Sequence, residues 1–297
     1  FSGIISGSGG LTKQGTGTFT LSGANDYTGV TAVRRGTLTL TGAGARISHG
    51  GSDFNIGTTS GDNANVIVEA GADVTVDETR IGNNSTGKLT VTGAGSTWNH
   101  TGTVLRVGGL SGTNSGTLEV LNGGSVTVDQ FMDIGSGSGS SGTVLVDGAG
   151  STLSASDSLN VGFSGEGSMT VQNQGLVVRG TDIDGVEVAR FSGSSGTLNL
   201  NSGGTVEATS IQAGAGAASL HFNGGRFRAT QSGAVFTGFA AGDIQILTDG
   251  AIIDSQAFNL SSSAIFQGTG GLVKEGNGTL TLSGDNEYQG GTQINGG

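Results

Sequence analysis

Cysteine and proline are both absent from this 297-residue chain. Without cysteine there is no disulfide framework and no thiolate metal site. The lack also suits a chain threaded unfolded across a membrane, where a premature disulfide would lock a loop too wide to pass. Charge is scarce at 12% of residues, and 12 basic against 23 acidic side chains leave a net charge of -11. A chain this acidic, with no basic stripe, has no means of neutralising phosphates, which excludes a nucleic-acid partner. Long apolar runs are missing too, and nothing approaches the roughly eighteen residues of a membrane-spanning helix. The opening Phe1-Ser2-Gly3-Ile4-Ile5 lacks a basic segment and an apolar core, so it reads as an internal start and not as a signal peptide.

Glycine is abundant instead, at 61 residues. With so much Gly, Thr, Ser and Asn the chain could be disordered, but apolar residues recur too regularly for that. From Asn55 to Gly214 one phrase returns: apolar, polar, β-branched or small, then glycine. It reads Phe54-Asn55-Ile56-Gly57, Thr79-Arg80-Ile81-Gly82, Leu105-Arg106-Val107-Gly108, Met132-Asp133-Ile134-Gly135, Leu159-Asn160-Val161-Gly162, Val186-Glu187-Val188-Ala189 and Ile211-Gln212-Ala213-Gly214. Its third residue falls at 56, 81, 107, 134, 161, 188 and 213, spaced by 25 to 27 residues. Such a period signals a solenoid, propeller or array.

Two further alternating segments lie within each period. One is Leu89-Thr90-Val91, Leu118-Glu119-Val120, Val144-Leu145-Val146, Met169-Thr170-Val171 and Leu198-Asn199-Leu200; the other is Val74-Thr75-Val76, Val126-Thr127-Val128, Leu153-Ser154-Ala155 and Val206-Glu207-Ala208. Trp98 occupies the slot held by Val126 and Leu153 in neighbouring periods. Propeller blades need about 40 to 50 residues and four antiparallel strands, and leucine-rich repeats need leucine runs with an asparagine ladder. Three short strands per turn with glycine corners instead predict an all-β, right-handed parallel β-helix of 25–27 residues per rung. Each rung then buries one side of every strand, so Val161 points inward while Asn160 points outward and should tolerate replacement.

A second kind of repeat frames this region. Gly10-Leu11-Thr12-Lys13-Gln14-Gly15-Thr16-Gly17-Thr18-Phe19-Thr20-Leu21-Ser22-Gly23-Ala24-Asn25-Asp26-Tyr27-Thr28-Gly29 returns as Gly271-Leu272-Val273-Lys274-Glu275-Gly276-Asn277-Gly278-Thr279-Leu280-Thr281-Leu282-Ser283-Gly284-Asp285-Asn286-Glu287-Tyr288-Gln289-Gly290. This phrase resembles the passenger-associated transport repeat of bacterial type V autotransporters, and the rungs between the two copies are similar to passenger rungs of the same proteins. The resemblance implies a passenger segment exported to the cell surface or secreted through the outer membrane. The C-terminal translocator barrel that carries it lies outside this chain. Within the repeat, Lys13 and Lys274 are expected to cover a rung edge, Tyr27 and Tyr288 to stack with a wet hydroxyl, and Asn25 and Asn286 to make a turn or bond the backbone. The chain reads as one elongated fragment over 1–297: a first transport-type repeat in 1–40, regular rungs in 41–217, and aromatic-rich rungs with the second repeat in 218–297. Phe222, Phe227, Phe236, Phe239, Phe258 and Phe266 belong to that last part and are expected in its core.

Chemistry is harder to find. The middle residue of the anchor phrase forms an outward column, from which Arg80, Arg106, Asp133, Asn160 and Glu187 are the candidate interaction residues. At about 4.8 Å per rung, Asp133 and Glu187 sit about 10 Å apart, just beyond the carboxylate spacing of inverting glycosidases. Asp157 and Asp184 share an offset and could repel or attract a cation, but no calcium-binding nonapeptide is present. His49, His100 and His221 occupy unmatched positions, and Arg179-Gly180-Thr181 is not an Arg-Gly-Asp tripeptide. No catalytic, cofactor-binding or metal-binding residue is therefore assigned. The loops after each anchor vary most (83–87, 109–116, 136–142, 163–167, 190–196), and their small polar residues suggest a flexible surface without a preformed pocket. The expected role is a passenger segment for adhesion, self-association or biofilm formation, meeting another copy of itself or a host surface protein or glycan. A passive stalk presenting a distal domain and a polysaccharide-degrading β-helix are the alternatives.

Overall fold

The computed structural model describes residues 1–61, 63–180 and 185–297. Among these every regular element is a strand. The strands make three long sheets of nine, eleven and twelve members, in each of which neighbours along the chain's coil are hydrogen-bonded side by side. Every pairing between named strands is parallel, as a single chain winding in one direction requires. The fold is a right-handed parallel β-helix with three strands per rung.

The first sheet carries the anchor phrases, from Leu11–Lys13 through Phe54–Ile56 and Leu159–Val161 to Ile211–Ala213. The second holds seven-residue strands such as Thr86–Thr92 and Ser195–Asn201, and the third holds four-residue strands such as Asp73–Val76 and Thr97–His100. Alternation along each strand sends Leu89, Val91, Val161 and their counterparts inward to complete burial. Burying an aliphatic side chain of this size contributes about 1.5–3 kcal/mol, and the columns stack mostly aliphatic residues from rung to rung, with Trp98 and His100 among the exceptions. Trp98 pairs in register with Val74 and Val126 and is fully buried.

The corner after each anchor strand explains its glycine. Gly162 has φ +84°, and a Cβ there would meet the Ser195 carbonyl oxygen at 2.2 Å. In the next rung the same corner is turned by Ala189 at φ +56°, a conformation that costs an L-residue about 1–2 kcal/mol.

The two transport-type repeats build shorter rungs. Leu11 pairs with Thr31 and Leu272 with Thr292, a spacing of 20 residues in each case (31 − 11 and 292 − 272). Their shared residues stitch one rung to the next. Lys13 and Lys274 are buried, and each ammonium donates to three carbonyls: Gln14, Gly15 and Arg35 at 3.0, 2.8 and 2.9 Å, and Glu275, Gly276 and Gly296 at 3.0, 2.8 and 2.9 Å. Two of each set belong to the lysine's own turn and the third to the following rung. Asn25 and Asn286 accept from the backbone N–H of Ile5 and Phe266 respectively, both at 3.0 Å, and donate to the carbonyls of Gly23 and Gly284. The phenol oxygens of Tyr27 and Tyr288 lie 2.6 Å from Thr31 and Thr292. Lys13 and Lys274 thus do more than cover an edge: each ammonium gathers carbonyls from two successive rungs.

Near residue 213 the anchor sheet ends, and a three-stranded sheet of Gly233–Ala234, Leu260–Ser262 and Leu280–Leu282 follows. Phe236 fills that change of path, packing edge-on against Phe222, Phe227 and Phe266 with ring centroids 5.9, 4.9 and 5.5 Å away. All four rings are fully buried, whereas Phe239 and Phe258 are only partly so.

Candidate functional site

The anchor sheet sets the outward column in strict register. Asn55 pairs with Arg80, Arg80 with Arg106, Arg106 with Asp133, Asp133 with Asn160, Asn160 with Glu187 and Glu187 with Gln212. A neighbouring outward position, two residues earlier, pairs Val104 with Phe131. The two columns therefore lie side by side on one face.

Along the column the side chains are not equivalent. Arg80 turns toward Asp53 and Asn55 and lies 3.8 Å from Glu78. Arg106 reaches back one rung to Glu78 at 3.2 Å and does not pair with Asp133. Glu78 is itself fixed, because its Oε1 accepts from the backbone N–H of Thr103 and Val104. Glu187 pairs with Arg190 at 3.4 Å. Between these two ion pairs sit Asp133, 5% exposed, and Asn160, 1% exposed. Asn160 donates to Asp133 Oδ1 at 2.8 Å and accepts from Arg190 at 3.1 Å. Burial pushes the Asp133 carboxyl up from its ordinary range, while the Asn160 bond and the charges of Arg106 and Arg190 pull against that.

What covers Asp133 and Asn160 comes from the loops after the anchors. Phe163 and Phe191 meet edge to face at 5.0 Å, and the Arg190 guanidinium lies 5.6 and 5.5 Å from their centroids. Phe163, Leu110 and Phe131 line an open concavity of about 340 Å³ together with Arg106, Asp133, Asn160 and Arg190. This differs from the flexible, pocketless surface that the loop composition suggests. Most of those loop residues are indeed small, but single bulky ones at Leu110 and Phe163 are enough to wall a concavity. It also corrects the tolerance expected of Asn160, which faces away from the helix interior and is nevertheless buried and bonded on both sides.

Of the five column residues, Arg106, Asp133 and Asn160 line the cavity, Glu187 braces it through Arg190, and Arg80 lies one rung outside. Glu78, Phe131, Phe163 and Arg190 were missed from the sequence. The signal available was local: position one past the anchor corner is Asn83, Gly109 and Ser136 in earlier rungs, then Phe163 and Arg190. Asp184, the proposed partner of Asp157, lies outside the described residues, as do Thr181 and Asp62.

A parallel β-helix with export-type repeats near both ends defines a class, the passengers of type V autotransporters. Comparison with known proteins agrees: the passenger-associated-transport-repeat family matches residues 11–40 and 272–297. The adhesin BmaC autotransporter of Brucella suis biovar 1 (strain 1330) is 30% identical over 347 aligned residues, which take in all of this chain. The chain spans 10% of the length of that curated relative. No solved structure matches it. The two transport repeats, and similarity along its whole length to part of an autotransporter adhesin, are what this chain shares with the autotransporter passengers, proteins placed at the cell surface or released through the outer membrane.

Proposed function

We propose that this segment is a non-catalytic contact surface of its passenger, serving bacterial adhesion, self-association or biofilm formation. Its partner is a host surface protein or glycan, or another copy of the chain. The observation that carries this is the walled cavity on an otherwise flat outward face. A passive stalk gains nothing from holding a desolvated carboxylate between two arginines. The similarity to a relative named as an adhesin supports the same reading.

The degradative reading finds less support. Asp133 is the one carboxylate in the cavity lining, and Glu187, two rungs away, is engaged by Arg190. General acid and base must both reach the scissile bond, and among the described residues this site offers one such group. Residues 1–297 are taken to act as one rod, which sets the surface at a fixed height along the passenger.

Non-adherent bacteria displaying the segment, tested for attachment to epithelial monolayers and for autoaggregation, examine the proposal. Attachment or aggregation above an empty-display control is expected. Sedimentation as a strict monomer together with no attachment would favour the stalk.

A further inference from the structure

The polar groups of the cavity suggest what it accepts. Asp133 offers a carboxylate whose Oδ1 is engaged by Asn160; among the described residues no donor reaches its Oδ2. Arg106 and Arg190 bring guanidinium N–H groups to the same space. Both are already paired with carboxylates, Arg106 with Glu78 and Arg190 with Glu187. An anionic ligand would therefore meet offset cations and the negative Asp133, whereas a cationic one would meet two guanidiniums. A hydroxyl pair avoids both conflicts, because each hydroxyl can donate to the carboxylate and accept from an arginine. Ser136, almost fully buried in the same wall, adds a group able to do either.

The apolar half of the lining fits the same ligand. Phe131 and Phe163 present aromatic surface, and Leu110, 58% exposed, stands at the rim. The C–H face of a pyranose ring packs on aromatic carbon while its edge hydroxyls reach the polar groups. A volume near 340 Å³ lies at the small end of ligand sites, which suits one or two sugar rings and excludes a folded protein domain.

We propose that this cavity binds an uncharged hexose unit of a glycan through vicinal hydroxyls held between Asp133 and the two arginines, with the ring packed on Phe131 and Phe163. The proposal rests on the adhesive reading above and specifies its ligand. The site acts singly and with the modest affinity expected of a shallow sugar site. Display of many passengers on one cell multiplies that into firm attachment.

The test is chemical-shift perturbation of the ¹⁵N-labelled segment, titrated to high millimolar concentration with methyl mannoside, methyl galactoside and methyl glucoside. Methyl glucuronide and glucosamine serve as the anionic and cationic comparisons. At least one neutral glycoside is expected to shift the amides of Asn160, Phe163 and Arg190, with weaker or no response to the two charged sugars. Asp133→Asn should weaken the neutral ligand about tenfold or more, and Phe163→Ala, a surface change that leaves the strands intact, should also weaken it severalfold. A preference for glucuronide or glucosamine, shifts located elsewhere, or no response to any neutral glycoside would overturn the assignment. Loss of sugar binding in Asp133→Asn with cell attachment unchanged would leave adhesion standing and remove this cavity from it. Sugar binding by a segment that confers no attachment would do the reverse.

Discussion

The fully buried His100 makes the stability of the central rungs depend on acid. It ends the strand Thr97–His100 in register with Val76 and Val128, so its ring stands in an aliphatic column. Its Nδ1 lies 3.3 Å from Thr79 Oγ1, which also accepts from Trp98 Nε1 at 3.1 Å, and its Nε2 has no partner among the described residues. Burial drives its pKa down from 6.5 to about 4, against the pull of Glu78, Asp77 and Asp129, with Arg106 assisting the descent. Because the folded value lies below the unfolded one, the neutral ring is fully tolerated above pH 6.5. As pH falls from there to about 4, the unfolded chain takes up the proton first and stability is lost. At 1.36 kcal/mol per pKa unit, a shift of that size destabilises the folded state by about 3 kcal/mol at the acid end. The assay is urea unfolding followed by Trp98, the chain's one tryptophan, at about pH 7.5 and about pH 4.5, for the wild type and for His100→Val. Valine restores the residue type of the flanking rungs and removes only this titration, so carboxylates common to both cancel. The wild type should lose about 2.5 kcal/mol more than the variant between the two conditions. An equal loss in both proteins would refute the reasoning.

Other consequences are equally direct. Lys13→Met removes three charge-assisted bonds joining two rungs and should cost about 2–4 kcal/mol net, read as faster amide exchange in residues 11–41 while the central rungs keep their protection. Val161→Asp places an unpaired carboxylate in a core column and should cost several kcal/mol (~4); thermal stability equal to wild type would contradict the inward assignment. Asn160→Ala leaves Asp133 buried without its donor and should cost about 1–3 kcal/mol. A cost below that of an ordinary surface substitution would place Asn160 in solvent. Gly162→Ala meets the Ser195 carbonyl and a positive φ, so a melting temperature unchanged from wild type would speak against the corner described.

The coil itself was legible because its cause is periodic. Every rung must repeat the same inward pattern and the same corner, so Ile56, Ile81, Val107, Ile134, Val161 and Val188 mark one sheet in the sequence alone. Trp98 fell in its predicted slot for the same reason. The cavity is aperiodic and was not legible. It depends on residues that break the repeat at single rungs, Phe163, Arg190 and Phe131, and on their convergence over Asp133 from separate turns. Outwardness along a strand tells which way a side chain starts, not what later covers it, and Asn160 was misjudged on that account. The switch of sheets beyond Ala213 is likewise carried by one aromatic, Phe236, in a left-handed backbone conformation. A phenylalanine there looks no different in sequence from the core phenylalanines around it.

A chain without cysteine accepts nitroxide labels at chosen positions without background. Ser48 and Glu207 occupy one outward column of the third sheet, linked in register through Thr75, Asn99, Thr127, Ser154 and Val178. Six rung steps at about 4.8 Å place the two backbone sites ~29 Å apart, though 159 residues separate them in the chain (207 − 48). Pulsed electron spin resonance on Ser48→Cys with Glu207→Cys should return one narrow distribution about that distance, widened only by the label arms. A broad distribution, or a maximum far from it, would contradict a continuous stack in which each rung adds one strand to this sheet.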